Sequence, residues 1–438
     1  SYAYVNENIA GADANHDMAA VMPPMGRVCL EAITFDNYGG NGGGIANTGS
    51  SDLYAFYGSV IGSNDARGGS GDGTTPGRAY GGTGGGIHKS GASFVYIGDY
   101  NLGSYVRYNE ATYDGGGIFN TGSDVDIYYS FIYNNVAGAN LPEGMGVLDT
   151  ILEFGGNGGG IYNVNGGTVD IYGYYDYGSV VSYNYAVSGT RTVATDAQGY
   201  GNGGGVFNRD TTGVAGSRVS VYGYSSIEYN YADRHGGGVF NDNGNFYQGR
   251  PGQAYAGWGD VSNNIAGADA NYNVTASPGS PAIENISFAN FATDGGGNGG
   301  GVFNIGTEAD HYIGHGSWLY YNDARGGNGG GIFNANGGDV VIDGTPTGYP
   351  YTSYVYGNEA TYDGGGIFNT SNGINYGQVL VNGSQVHCNN AIDNLDNNGN
   401  GGGIFNEADA DVALTSATIQ FNEANRHGGG IYNTDDGS

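Results

Sequence analysis

Gly115-Gly-Gly-Ile-Phe-Asn120 decides how this chain is read, because the same pattern returns at eleven places and turns everything else into spacer. Its copies begin at Gly42, Gly84, Gly115, Gly158, Gly203, Gly236, Gly299, Gly329, Gly364, Gly401 and Gly428. The fourth position is always Ile or Val. The sixth is Asn in every copy but the second, where the chain's only lysine, Lys89, stands. A second signal, Asn-any-Ala, interleaves with the first at Asn8, Asn64, Asn109, Asn135, Asn184, Asn230, Asn264, Asn322, Asn358, Asn389 and Asn422, each three residues after a Val, Ile or Leu. Two matched series at constant phase predict a repeat architecture rather than a string of unrelated domains.

The shortest complete repeat, Gly401 to His427, exposes the unit: the glycine motif, a turn, then two segments in which apolar residues alternate (Val412, Leu414; Ile419, Phe421). Alternation is strand period, and no window carries a helical stripe with caps. Three short strands separated by turns and repeated about eleven times predict an all-β, single-stranded parallel β-helix, each strand pairing with its counterpart one coil on. Three glycines at a corner permit positive φ and let stacked backbones approach closely. Asn at matching positions of stacked coils can pass amide hydrogen bonds along a column. The expected ladders are Asn120, Asn163, Asn208, Asn241, Asn304, Asn334, Asn369, Asn406 and Asn433 in the glycine motif, and the second series, including Asn109, Asn184, Asn230, Asn358 and Asn422.

From each Asn of the second series to the next glycine motif the spacing ranges from 6 to 35 residues, whereas the opposite spacing stays within 20 to 29. One corner is therefore expected to carry the long insertions, which by length are also the candidate functional loops. Residues 1–438 read as one continuous solenoid with an internal duplication, roughly 1–257 and 258–438: Asn8 to Asn15 recurs at Asn264 to Asn271, and Arg234-His235 as Arg426-His427.

The pairing of Gly-Gly-Gly-Ile with Phe-Asn, followed by an Asn-any-Ala strand, resembles the repeats of polymorphic outer membrane proteins and related surface proteins. The resemblance covers nearly the whole chain. It implies a right-handed β-helix and a surface or adhesive role.

Composition narrows the function further. The formal charge is −30, so nucleic acid and anionic membrane surfaces are excluded as partners by repulsion. No run of eighteen apolar residues offers a membrane span. A start at Ser1 fits removal of a secretion signal, and hence an extracellular or cell-surface location. Cys29 and Cys388 are too few for a disulfide scaffold and match no metal spacing; whether they pair is open. Glycosylation sequons stand at Asn273, Asn285 and Asn382, with another at ladder residue Asn369.

No catalytic residue is nominated. Arg67, Arg325, Arg234, Arg426, Asp114 and Asp363 recur with the repeat, the arginines as expected salt bridges to a neighbouring coil. Calcium is the candidate cofactor, at Asn394, Asp396 and Asn398 before Gly399, or at Asp13, Asn15 and Asp17; the alternative is a solvated acidic turn. Tyrosine supplies 39 residues. The runs Tyr172, Tyr174, Tyr175, Tyr177, Tyr183, Tyr185 and Tyr222, Tyr224, Tyr229, Tyr231 must place many rings outward, where they suit sugar stacking or protein contact.

The expected function is an extracellular structural protein that joins copies of itself head to tail, with carbohydrate or cell-surface ligands. The expected junction comprises Tyr2, Tyr4, Val5 and Asn8 of one copy against Ile431, Tyr432 and Asn433 of another. A carbohydrate-active β-helix enzyme, or a piece of a longer surface adhesin, is the alternative.

Overall fold

The computed structural model describes residues 3–6, 8–10, 41–66, 82–99, 102–138, 155–174, 177–188, 201–211, 216–249, 258–267, 297–314, 316–344, 352–371, 375–393, 399–407 and 409–434. These residues wind a parallel β-helix. The coil around the opening motif defines it: Ile118–Thr121 lies in the first sheet, Asp124–Tyr128 in the second, Phe131–Tyr133 in the third and Val136–Ala137 in the fourth. Each sheet stacks these strands in chain order, eleven in the first, third and fourth and ten in the second. All the pairings are parallel and in register, so Ile118, Ile161 and Val206 fall in one column as the repeat requires. At about 4.8 Å per strand, eleven coils make a rod of roughly 50 Å.

A coil therefore has four strands, not three. The additional one is the two-residue segment after the corner Asn, too short to show alternation, whose Ala side chains (Ala111, Ala137, Ala186, Ala232) are fully buried. Inward positions of the other sheets carry Ile and Val, forming one continuous core from Ala55 to Ile404. The sheets run without interruption past residue 257, since Gly259–Ser262 pairs with strands on both sides, so the sequence duplication leaves no structural boundary.

The glycine corner shows why three glycines are needed. The first has φ between +61° and +70° in every copy. The second and third have ordinary φ but no room: a Cβ on Gly204 would sit 2.4 Å from the Tyr231 carbonyl oxygen and 2.5 Å from that of Gly237. The corner stacks through its own backbone, with Gly204 N–H donating to Gly236 O at 3.2 Å.

Connections from the fourth sheet back to the first hold the long insertions, as the spacing predicts. Longer connections also join the second to the third sheet, between Gln248 and Gly259 and between Asp343 and Tyr354.

Candidate functional site

Both asparagine columns form. In the corner column each side-chain amide donates to the Oδ1 of the next coil's Asn, as from Asn184 to Asn230 at 3.0 Å, and to a main-chain carbonyl of the preceding coil, as from Asn184 to Ile132 at 2.9 Å. Its Oδ1 accepts twice from the preceding Asn, through Nδ2 at 2.9 Å and through the backbone N–H at 3.1 Å. Every polar atom of these buried amides is thus used, the condition for placing them inside a core. The column runs from Asn8 to Asn422.

The glycine-motif column runs unbroken from Asn120 to Asn433, each amide also closing its own turn, as Asn163 does on Gly167 O at 2.8 Å. Lys89 interrupts it below Asn120. The lysine has no solvent-accessible surface, and its ammonium donates to Gly49 O at 3.0 Å and Asn47 Oδ1 at 3.4 Å. Burial lowers its pKa, with Asp52 opposing that shift. The Asn120 Oδ1 is left buried without a hydrogen bond.

Outside the core the first sheet carries a feature that residue counting missed. The residue after each motif Ile or Val faces outward, and these rings stack from His88 through Phe119, Tyr162, Phe207, Phe240, Phe303, Phe333, Phe368 and Phe405 to Tyr432, with centroids 4.8 to 5.5 Å apart. The aromatic ring at this position in ten of the eleven copies was the available signal. His235 of the recurring Arg-His pair lies over Phe303 at 4.7 Å, its pKa lowered to about 3 by burial and by Arg234.

Among the tyrosines of the two runs, Tyr174, Tyr177, Tyr183, Tyr224 and Tyr229 are exposed, while Tyr185 and Tyr222 are covered by neighbouring side chains; Tyr175 lies outside the described residues. Several hold left-handed backbone, Tyr183 at φ 53° and Tyr229 at φ 52°, at corners that elsewhere take Ser, Asn or Cys388. A bulky residue there is strained. Stacking of the two rings, 5.2 Å apart and 4° from parallel, offsets it.

Charged groups follow the repeat only in part. Asp114 and Asp363 do, each accepting from the Asn before the next glycine motif, Asp363 Oδ1 from Asn400 N at 2.8 Å. Arg325 pairs with Asp323 of its own coil at 2.7 Å, whereas bridges between neighbouring coils are made by Arg209 with Asp242 at 2.6 Å and Arg218 with Asp170 at 3.1 Å. Two clusters do not repeat. On the second sheet Asp126 and Asp170 are paired in register, with the Tyr172 hydroxyl donating to Asp126 at 3.3 Å. Burial and the Asp170 charge push the Asp126 carboxyl up to about 6. On the third sheet Glu228 and Asp260 occupy adjacent strands, and burial, with Glu228 adding, pushes Asp260 up to about 7. Neither cluster carries a motif spacing, because each is assembled across coils.

Of the remaining nominated residues, Tyr4 and Val5 lie in the third sheet beside Val60–Gly62, Asn8 opens the corner ladder, and Ile431–Asn433 pairs with Ile404–Asn406. Asn382 ends a second-sheet strand, half-buried and 3.3 Å from Asp343, while Ser384 of its sequon is buried and donates back to Asn382 O at 3.0 Å. Cys388 is an exposed thiol. Tyr2, Asp13, Asn15, Asp17, Cys29, Arg67, Asn273, Asn285, Asn394, Asp396 and Asn398 lie outside the described residues. Among the described residues no group of three or more His, Cys, Asp or Glu could hold a metal ion, and no helix is long and apolar enough to cross a membrane.

Comparison with family models, with curated proteins and with solved structures finds no match to this chain.

Proposed function

We propose that the protein is an extracellular structural rod that assembles with copies of itself along its axis and presents aromatic side faces for adhesion, in the manner of the polymorphic outer membrane protein repeats its motifs resemble. The observation that carries this reading is translational identity. Each coil offers the next the same donors and acceptors that it receives, through four in-register sheets and two amide ladders, so a second copy placed on the axis is bound by the contacts already used inside the chain. An acidic surface with exposed tyrosines such as Tyr174, Tyr177, Tyr183, Tyr224 and Tyr229 suits contact with sugars or apolar protein surfaces. Light scattering and electron imaging of the concentrated intact protein test it. Filaments of the rod's width are expected, and a dispersed monomer at high concentration with calcium present would refute it.

A carbohydrate-active enzyme is the second reading, favoured by the Asp126–Asp170 pair with Arg218 and Tyr172 beside it, since glycoside cleavage needs two carboxyls and burial raises the Asp126 one. Turnover of a polysaccharide that Asp126→Asn abolishes would establish it.

A further inference from the structure

Outward positions of the third sheet are aromatic at Phe131 and Tyr133 and again at Trp318 and Tyr320. Across the three strands between, they are Val180 and Ser182, Ser226 and Glu228, and Asp260 and Ser262, with no aromatic ring among them. This floor is rimmed at the strand ends. Tyr183 and Tyr229 stand stacked at one corner, and at the other Tyr224 leans on Trp258 with centroids 5.3 Å apart. Both tryptophans of the chain, Trp258 and Trp318, are therefore at the depression, each about two-fifths exposed (39% and 42%).

The floor is electrostatically unfinished. Asp260 accepts from Trp318 N at 3.1 Å, and no basic side chain among the described residues offsets either it or Glu228. Ser262 lies in register between Glu228 and Tyr320, fully buried, with its hydroxyl against the Tyr320 phenol.

The core beneath is also exceptional. Where neighbouring coils place Val, Ile or Phe inward, Gln248 and His311 form a buried polar pair 2.9 Å apart, and the Gln248 amide donates to Gly259 O at 3.2 Å and Trp318 O at 3.3 Å. One of those carbonyls precedes Asp260 on its own strand and the other belongs to the next strand. A polar pair in an aliphatic column is costly. It holds the floor's backbone in place, and local rules are broken in this way where a site is built.

We infer that this depression binds an alkylammonium cation, as a lysine-type primary amine or a quaternary trimethylammonium group, with the charge against Glu228 and Asp260 and the carbons against Trp318, Trp258, Tyr229 and Tyr224. Two desolvated carboxyls with no basic side chain beside them among the described residues favour a cation, which stabilises their ionised forms, over a neutral sugar, which does not. Indole and phenol faces add cation–π attraction. Neither filament assembly nor adhesion is required for this.

Intrinsic tryptophan fluorescence reports the site directly. The intact chain is titrated with tetramethylammonium chloride, with Nα-acetyl-lysine methylamide, with maltohexaose, and with sodium chloride at matched ionic strength. A saturable change with the ammonium ligands alone is expected, weakened roughly tenfold or more, the scale of one charge-assisted contact, in Asp260→Asn and in Glu228→Gln. Circular dichroism confirms that both variants keep the β-helix. Tighter binding of tetramethylammonium marks a headgroup-type ligand and tighter binding of the lysine derivative a protein side chain. Saturation by maltohexaose alone, ammonium binding unchanged in both variants, or no response to either ammonium ligand would overturn the inference.

Discussion

A single asparagine in these ladders does the work of several turn residues. Asn230 accepts from both the backbone N–H and the side-chain amide of Asn184 and donates to Asn264 and to Val181 O. Asn230→Ala strands two buried donors of Asn184, each worth about 1–3 kcal/mol, so a loss of roughly 2–6 kcal/mol is expected in urea denaturation. Lys89 is the reverse case. Lys89→Asn gives Asn120 Oδ1 a donor and removes a buried ammonium, and a gain of about 1–3 kcal/mol is expected at neutral pH. The sign of its pH dependence follows from the lowered pKa. Between the folded value and 10.5 the unfolded chain binds more protons, so the wild type gains stability as pH rises. The advantage of Lys89→Asn therefore narrows from pH 7 towards 10.5, and an advantage that widens would contradict the placement of the lysine.

At the scale of elements, the glycine corner and the two-residue strand explain each other. Ala232 can sit fully buried at so tight a turn only because the adjoining Gly204 leaves space, its missing Cβ being 2.4 Å from Tyr231 O. Gly204→Ala must push two coils apart, and a cost of about 3 kcal/mol or more is expected from thermal or chemical unfolding. A neutral effect would mean that the stacked corner relaxes without cost. The aromatic row on the first sheet is a second element-scale device. Its pairs add about 0.5–1.5 kcal/mol each beyond the area they bury, and they fix register on the outer face as the aliphatic columns do on the inner.

For the whole molecule the dominant long-range term is charge. Asp126, Glu228, Asp260, Asp310, Asp323, Asp339, Glu359 and Asp363 are all raised, burial being the first cause for each. A raised carboxyl is held in its neutral form by the fold, so its contribution is present at low pH and lost as pH rises through the folded pKa. For Asp260 that window runs from the ordinary value of 3.8 to about 7. Relative to Asp260→Asn the wild type should lose stability steadily across it, measured by urea midpoints at pH 4.5, 6 and 7.5, and a constant difference would argue against a desolvated site. His311, lowered to about 3 by burial, acts with the opposite sign and destabilises as pH falls from 6.5. With a formal charge of −30, the thermal midpoint at pH 7.5 should rise when sodium chloride goes from about 0.05 to about 0.5 M, as screening relieves like-charge repulsion.

The sequence by itself determined the solenoid, the number of coils, both amide ladders and the glycine corner, because each is a local pattern repeated in phase. Stacking then adds only translation. Where signal was too short or too singular, it failed: the Asn-any-Ala strand has two residues and no alternation, and the outward phenylalanine row looked like part of a turn motif. Only the tertiary structure brought Glu228, Asp260 and Trp318 together. They are separated along the chain by coils of unequal length, so no spacing announces them, yet strand pairing sets them on neighbouring strands about 4.8 Å apart. The same is true of Gln248 and His311, two polar residues in an apolar phase whose purpose becomes visible once the coil above is laid on the coil below.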